Sequence, residues 1–165
     1  MNNEPKNNKK TNGNYMTYIG AGLAVFNNGR ILLVTENRAA KRGLWNLPAG
    51  RPDPGEPLKL CAQREFAEET GANAAVKNFL GVFETVVGSS DRILFFVFLG
   101  KLIGKKKPIQ ATWFSKDEVR QLSFDGHLRS SAIMQTVELV NPSGYKNDQP
   151  HFESMLVNNA PSITT

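Results

Sequence analysis

Three glutamates, Glu65, Glu68 and Glu69, crowd the stretch LKLCAQREFAEET at residues 58–70. On an α-helix, positions three and four apart share a side, so these carboxylates face one another, and like charges at that spacing repel. Something must offset the repulsion. Arg64 stands four residues before Glu68 and can pair with it. A divalent cation would turn the remaining crowding into ligation by hard oxygen donors. Magnesium suits such a site, because it takes one or two carboxylates together with substrate phosphates and needs no full protein cage.

The elements that must carry these residues are legible from pattern. YIGAGLAVF at Tyr18 to Phe26 is apolar and β-prone, and Ile31 to Val34 repeats the signal beyond Asn27-Asn28-Gly29; together they read as a hairpin. Residues 37–57, rich in Gly, Pro and Arg, read as a long loop, of a kind more often functional than idle. Helical spacing runs from Leu58, with Pro57 at its start, and stops at Gly71, suited to a left-handed cap. Ala62 and Phe66, four apart on another face, give this helix an apolar stripe. Cys61 reads as a small core residue turned away from the carboxylates. A second hairpin is expected from Phe79–Val87 and Arg92–Leu99 around Gly88-Ser89-Ser90-Asp91, with a short strand ending at Trp113 and Phe114. Helices are expected at Lys116–Leu122 and Ser130–Val140, the latter stopped by Asn141-Pro142. Strands before and after one long helix, with helices at the end, make a mixed α/β sandwich.

Length and composition narrow the rest. The chain has 165 residues, 40% hydrophobic and 21% charged, which excludes disordered, collagenous and coiled-coil classes for the whole and fits one domain. Residues 1–15 carry six asparagines and three lysines, with no large apolar side chain between Met1 and Tyr15; they read as a disordered arm. Residues 16–145 form the domain, and 146–165 a polar tail. The arm has no secretory-type apolar stretch, no apolar run reaches the roughly 20 residues of a membrane span, and the single cysteine fits a reducing compartment. The expectation is therefore an intracellular, cytoplasmic protein without membrane partners. The net charge of +5 sits in residues 1–14 and in Lys105 to Lys107, while the remainder balances. That is no continuous basic stripe, so stable duplex nucleic-acid binding is not expected.

For an isolated glutamate pair, a solvated helix face would be the plainer reading. Here Gly50, five residues, Glu56, seven residues, and then Arg64-Glu65-Phe66-Ala67-Glu68-Glu69-Thr70-Gly71 resemble the Nudix box at every fixed polar and glycine position. Seven such positions would coincide by chance about once in a hundred million starts. The lead-in Trp45-Asn46-Leu47-Pro48-Ala49-Gly50 is similar too, and the resemblance covers roughly residues 18–140. The departure is Ala72, where that family carries a bulkier aliphatic.

The resemblance implies the Nudix fold, an α/β/α sandwich with a mixed β-sheet, and hydrolysis of a diphosphate linked to another moiety with Mg2+ or Mn2+. Carried over by position, Glu65, Glu68 and Glu69 would bind metal together with the Gly50 carbonyl. Glu65, Glu68 and Arg64 would be the catalytic set, Arg64 orienting the carboxylates, and Glu56 would support the loop or an outer metal. The family's acidic residue before the Trp-Phe pair is missing, leaving Glu84 or Asp91 as substitutes. Arg38, Lys41, Arg42 and Arg51 lie in loops beside the box, with Arg38 and Arg51 the candidates to meet substrate phosphate. LWNLPAGR, ILFFVFLG and RSSAIMQTVELV are similar to the branch that cleaves oxidised guanine nucleotides such as 8-oxo-dGDP. ADP-ribose or nucleotide-sugar cleavage is the alternative, and a silent nucleotide-binding module of the same fold a further one. A monomer or weak dimer is expected. His127 and His151 lack metal-ligand spacing, and Trp45 and Phe26 read as packing residues.

Overall fold

The computed structural model describes residues 16–36, 43–87, 91–140 and 158–159. Strand β1 (Thr17–Asn27) turns into β2 (Arg30–Thr35), with Phe26 opposite Ile31 and Asn27 opposite Arg30. Asn28 and Gly29 have φ of 49° and 72°, the two left-handed residues that a two-residue hairpin turn of the right twist requires. The expected long loop is not wholly irregular. It holds β3 (Trp45–Asn46), paired with β2, and β4 (Ala49–Gly50), paired with β1. Two-residue strands carry too little alternation to be seen in sequence.

Helix α1 (Leu58–Thr70) begins after extended Pro57, whose carbonyl accepts the Leu60 and Cys61 amides, and ends at Gly71 with φ 69°. Strands β5 (Asn73–Val87) and β6 (Asp91–Ile103) are longer than their apolar runs indicate. β6 also lies parallel to β1 from Thr17↔Arg92 to Val25↔Gly100. β7 (Ala111–Ser115) pairs with β2. α2 (Lys116–Phe124) starts in a capping box between Ser115 and Glu118, and α3 (Ala132–Leu139) follows. A final two-residue strand, β8 (Asn158–Asn159), pairs with β5. The sheet order is β3-β2-β1-β6-β5-β8, with β4 attached to β1 and β7 to β2.

Alternation along the strands builds two cores. Ala21, Leu23 and Val25 of β1 pack with Cys61, Ala62 and Phe66 of α1 on one face of the sheet. Ala24 of β1, with Leu33 and Val97, packs with Val119 of α2 and Ile133 and Val137 of α3 on the other. This is the α/β/α sandwich. Phe66, fully buried, anchors α1; truncating such a side chain to alanine costs about 3–5 kcal/mol. Ala72 is also fully buried, so the smaller residue sits where the core is closed. Among the described residues no helix is long and apolar enough to cross a membrane.

Candidate active site at the acidic helix

The site forms where β4 meets the exposed side of α1. Leu23 N–H donates to the Pro48 carbonyl (3.0 Å), and Ala21 and Gly22 pair with Gly50 and Ala49, which seats β4 against β1. The Ala49 N–H then donates to Glu69 Oε2 at 3.0 Å, tying β4 to the last turn of α1. Glu65 faces Gly50 so closely that an ideal Cβ at position 50 would stand 2.1 Å from its carboxylate carbon. The strand, the backbone carbonyl of Gly50 and two box glutamates are thus brought to one place.

Arg64 links the carboxylates. Its Nε and Nη2 donate to Glu56 Oε1 and Oε2, both at 2.9 Å. Nη1 reaches Glu65 Oε1 at 2.8 Å and Glu68 Oε2 at 3.4 Å, and Nη2 also donates to the Arg51 carbonyl at 3.1 Å. The expected pairing with Glu68 is present, but Glu56 and Glu65 hold Arg64 more tightly. A planar guanidinium can satisfy several acceptors at once where a lysine could not. The Arg64 fork is the first cause, and the Asp53 amide the second, of a Glu56 pKa lowered to about 2. The same bonds, Glu56 first and Glu65 second, push the Arg64 pKa further up. Glu56 also shapes its own loop: it accepts the Asp53 N–H (3.0 Å) while its N–H donates to the Asp53 carbonyl (2.9 Å).

Cys61 corrects its expectation in part. It is buried in the core, but it does not turn away from the carboxylates. Its Sγ lies 3.8 Å from the Gly50 carbonyl oxygen and 3.7 Å from Arg64 Nη2. The spacing contained the signal, since residue 61 precedes Glu65 by four and Arg64 by three. Burial, reinforced by the Glu56 charge, pushes its thiol up to about 11.

Arg51 is exposed at the end of β4, its guanidinium 5.0 Å from the centre of the Tyr18 ring; sequence gave no sign of this stacking. Arg38, Lys41 and Arg42 lie outside the described residues, as does His151. Glu84 pairs with Arg92 (2.9 Å) and Asp91 Oδ1 accepts the Met16 N–H (2.9 Å), so both substitute candidates are engaged locally on the β5–β6 hairpin. Trp45 packs edge-on against Phe114 at 4.7 Å, and it and Phe26 border the core beneath α2 and α3. His127 contributes its backbone carbonyl, which accepts the Trp45 N–H.

Among the described residues, no three acidic, histidine or cysteine side chains already converge as a metal cage. The donor chemistry nevertheless fits a hard cation. Glu65, Glu68, Glu69 and the Gly50 carbonyl are all oxygen donors, and Glu68 is more than half exposed. Arg64 supplies the positive charge within this cluster.

The NUDIX domain model matches residues 16–136. Over 77 residues the chain is 39% identical to a putative 8-oxo-dGTP diphosphatase of Bacillus subtilis, a match covering 47% of this chain and 50% of that one. Over 128 residues it is 34% identical to the human 8-oxo-dGDP phosphatase NUDT18, covering 71% of this chain and 37% of that one. The chain therefore spans half or less of the length of these relatives. A solved NUDIX hydrolase from Nitrosomonas europaea superposes with a TM-score of 0.64 at 27% identity, over 74% of this chain and 86% of that one. Because the domain match spans well over half of the chain and takes in β4, the Glu56 loop and α1, the chain belongs to the NUDIX family.

Proposed function

We propose that this chain is a Mg2+-dependent (or Mn2+-dependent) pyrophosphohydrolase that cleaves a phosphoric anhydride in a nucleoside diphosphate-linked substrate. The preferred substrate in this reading is an oxidised guanine nucleotide such as 8-oxo-dGDP, taken to the monophosphate. The observation that carries the reaction is the packing of Glu65 on the bare Cα of Gly50, with Glu69 tied to the next amide of the same strand. The names of the Bacillus subtilis and human relatives support the oxidised-guanine choice.

Glu65, Glu68, Glu69 and the Gly50 carbonyl would hold the cation. When bound, such an ion neutralises charge on phosphate oxygens and makes water more acidic. In this reading Glu65 and Glu68 would be the catalytic carboxylates, one of them accepting a proton from attacking water. Arg64 orients them and, through Glu56, fixes the loop that leads into α1. Arg51, exposed beside β4, meets the substrate phosphate, with Arg38 as a second basic contact.

The test is product analysis with magnesium on 8-oxo-dGDP, 8-oxo-dGTP, dGTP, ADP-ribose, a nucleotide sugar and a capped RNA. Fastest release of monophosphate from 8-oxo-dGDP is expected. Preference for ADP-ribose or the nucleotide sugar would replace the substrate assignment and keep the mechanism. Silence across the panel with both magnesium and manganese would leave a nucleotide-binding module.

A further inference from the structure

The outer edge of the sheet differs along its length. In its first half, β5 departs from regular pairing with β6 twice, between Val76 and Asn78 and between Phe79 and Gly81. These irregularities, together with Lys77, are devices that keep an edge strand from pairing with another chain. From Val82 to Val87 there is no such protection. The register runs without a break from Val82↔Phe96 to Val87↔Asp91, and in the stretch VFETVV every residue except Glu84 is of a β-branched or aromatic type that favours strands. That carboxylate, Glu84, is neutralised by Arg92 at 2.9 Å. Val86 is 43% exposed. A long, regular, apolar edge of this kind is a template for pairing with a second chain.

The chain's own β8 lies on this unprotected half, with Asn158 beside Glu84 and Asn159 beside Thr85, in parallel. We propose that the segment carrying β8 is an edge cap, which by occupying Glu84 and Thr85 keeps the regular half of β5 from pairing with β5 of a second copy of this chain. The bulged half of the strand needs no cap and has none among the described residues.

The test keeps the full chain and replaces both asparagines, Asn158→Pro together with Asn159→Pro, which removes two backbone donors and disfavours the strand. Sedimentation velocity over a wide concentration range, with hydrogen exchange of the Val82–Val87 amides, provides the readouts. The wild-type chain should sediment as a monomer. The proline variant should show a concentration-dependent doubling of mass, and adding Val86→Lys should return it to monomer mass with faster exchange at Val82–Val87 than in wild type. A proline variant that stays monomeric at every concentration would overturn the proposal. So would a wild-type chain that is already dimeric, or a dimer that Val86→Lys leaves intact.

Discussion

The Glu65 carboxylate fills the space that a side chain at position 50 would need: an ideal Cβ on Gly50 would lie 2.1 Å from both Glu65 Cδ and Oε1. Glycine is required there by close approach and not by a special backbone angle. The contact seats a box carboxylate directly against the strand residue whose carbonyl is the other candidate donor, and a hard cation takes oxygen donors of both kinds.

Gly50→Ala should accordingly remove activity while leaving the fold. The added methyl displaces Glu65 from Gly50 and from Arg64, so turnover should fall by orders of magnitude, as for a misplaced catalytic group. Overpacking of this size costs about 1–3 kcal/mol. Steady-state kinetics beside urea unfolding measures both, and unchanged turnover would show that the contact has no catalytic importance.

The Glu56–Arg64 pair predicts an acid-dependent loss of stability. Glu56 titrates near 2 in the folded chain against an ordinary value of 4.5, so folding holds its proton off. Its contribution is complete above about pH 4.5 and is lost as pH falls toward 2. Urea midpoints of wild type and Glu56→Gln should differ at neutral pH and draw together between pH 4.5 and 2. A gap that persists at pH 2 would mean that the carboxylate charge is not the cause.

Cys61 should be inert in the native chain. Burial and the Glu56 charge keep it protonated, with a pKa pushed up to about 11, and the thiolate is the reactive form. Ellman's reagent at pH 8 should find no fast-reacting thiol until urea is added, and then one per chain. Rapid native labelling would contradict the burial.

Arg51 should act on binding more than on chemistry. Its guanidinium is exposed and steadied over Tyr18, a contact worth about 0.5–1 kcal/mol at such sites. Arg51→Ala should raise KM several-fold with kcat nearly unchanged, and Tyr18→Leu should give a smaller shift in the same direction. An equal fall in kcat and kcat/KM would place Arg51 in the transition state instead.

What could be read from sequence follows from range. The β1–β2 turn and α1 between Pro57 and Gly71 are short-range patterns, and both stand as expected. The partners of those residues are long-range. Ala49 meets Glu69 across 20 positions and Arg51 meets Tyr18 across the β1–β4 pairing, contacts that periodicity does not encode. β3, β4 and β8 are two residues each and exist through their neighbours, so no local propensity announces them. Cys61 departs from its expected orientation for a different reason: its hydrophobic type points to the core, its three- and four-residue spacing to Arg64 and Glu65 points to the site, and it belongs to both.

The most direct measurement is turnover of 8-oxo-dGDP with magnesium by the double variant Glu68→Gln, Glu69→Gln, set beside its urea stability. Glutamine keeps an oxygen for the Ala49 N–H and removes two like charges from one helix face, so stability should stay within about 0.5 kcal/mol of wild type. Turnover should fall by orders of magnitude at every magnesium concentration. A stably folded double variant that cleaves the substrate at the wild-type rate would contradict the assignment of these carboxylates to the metal and to the reaction.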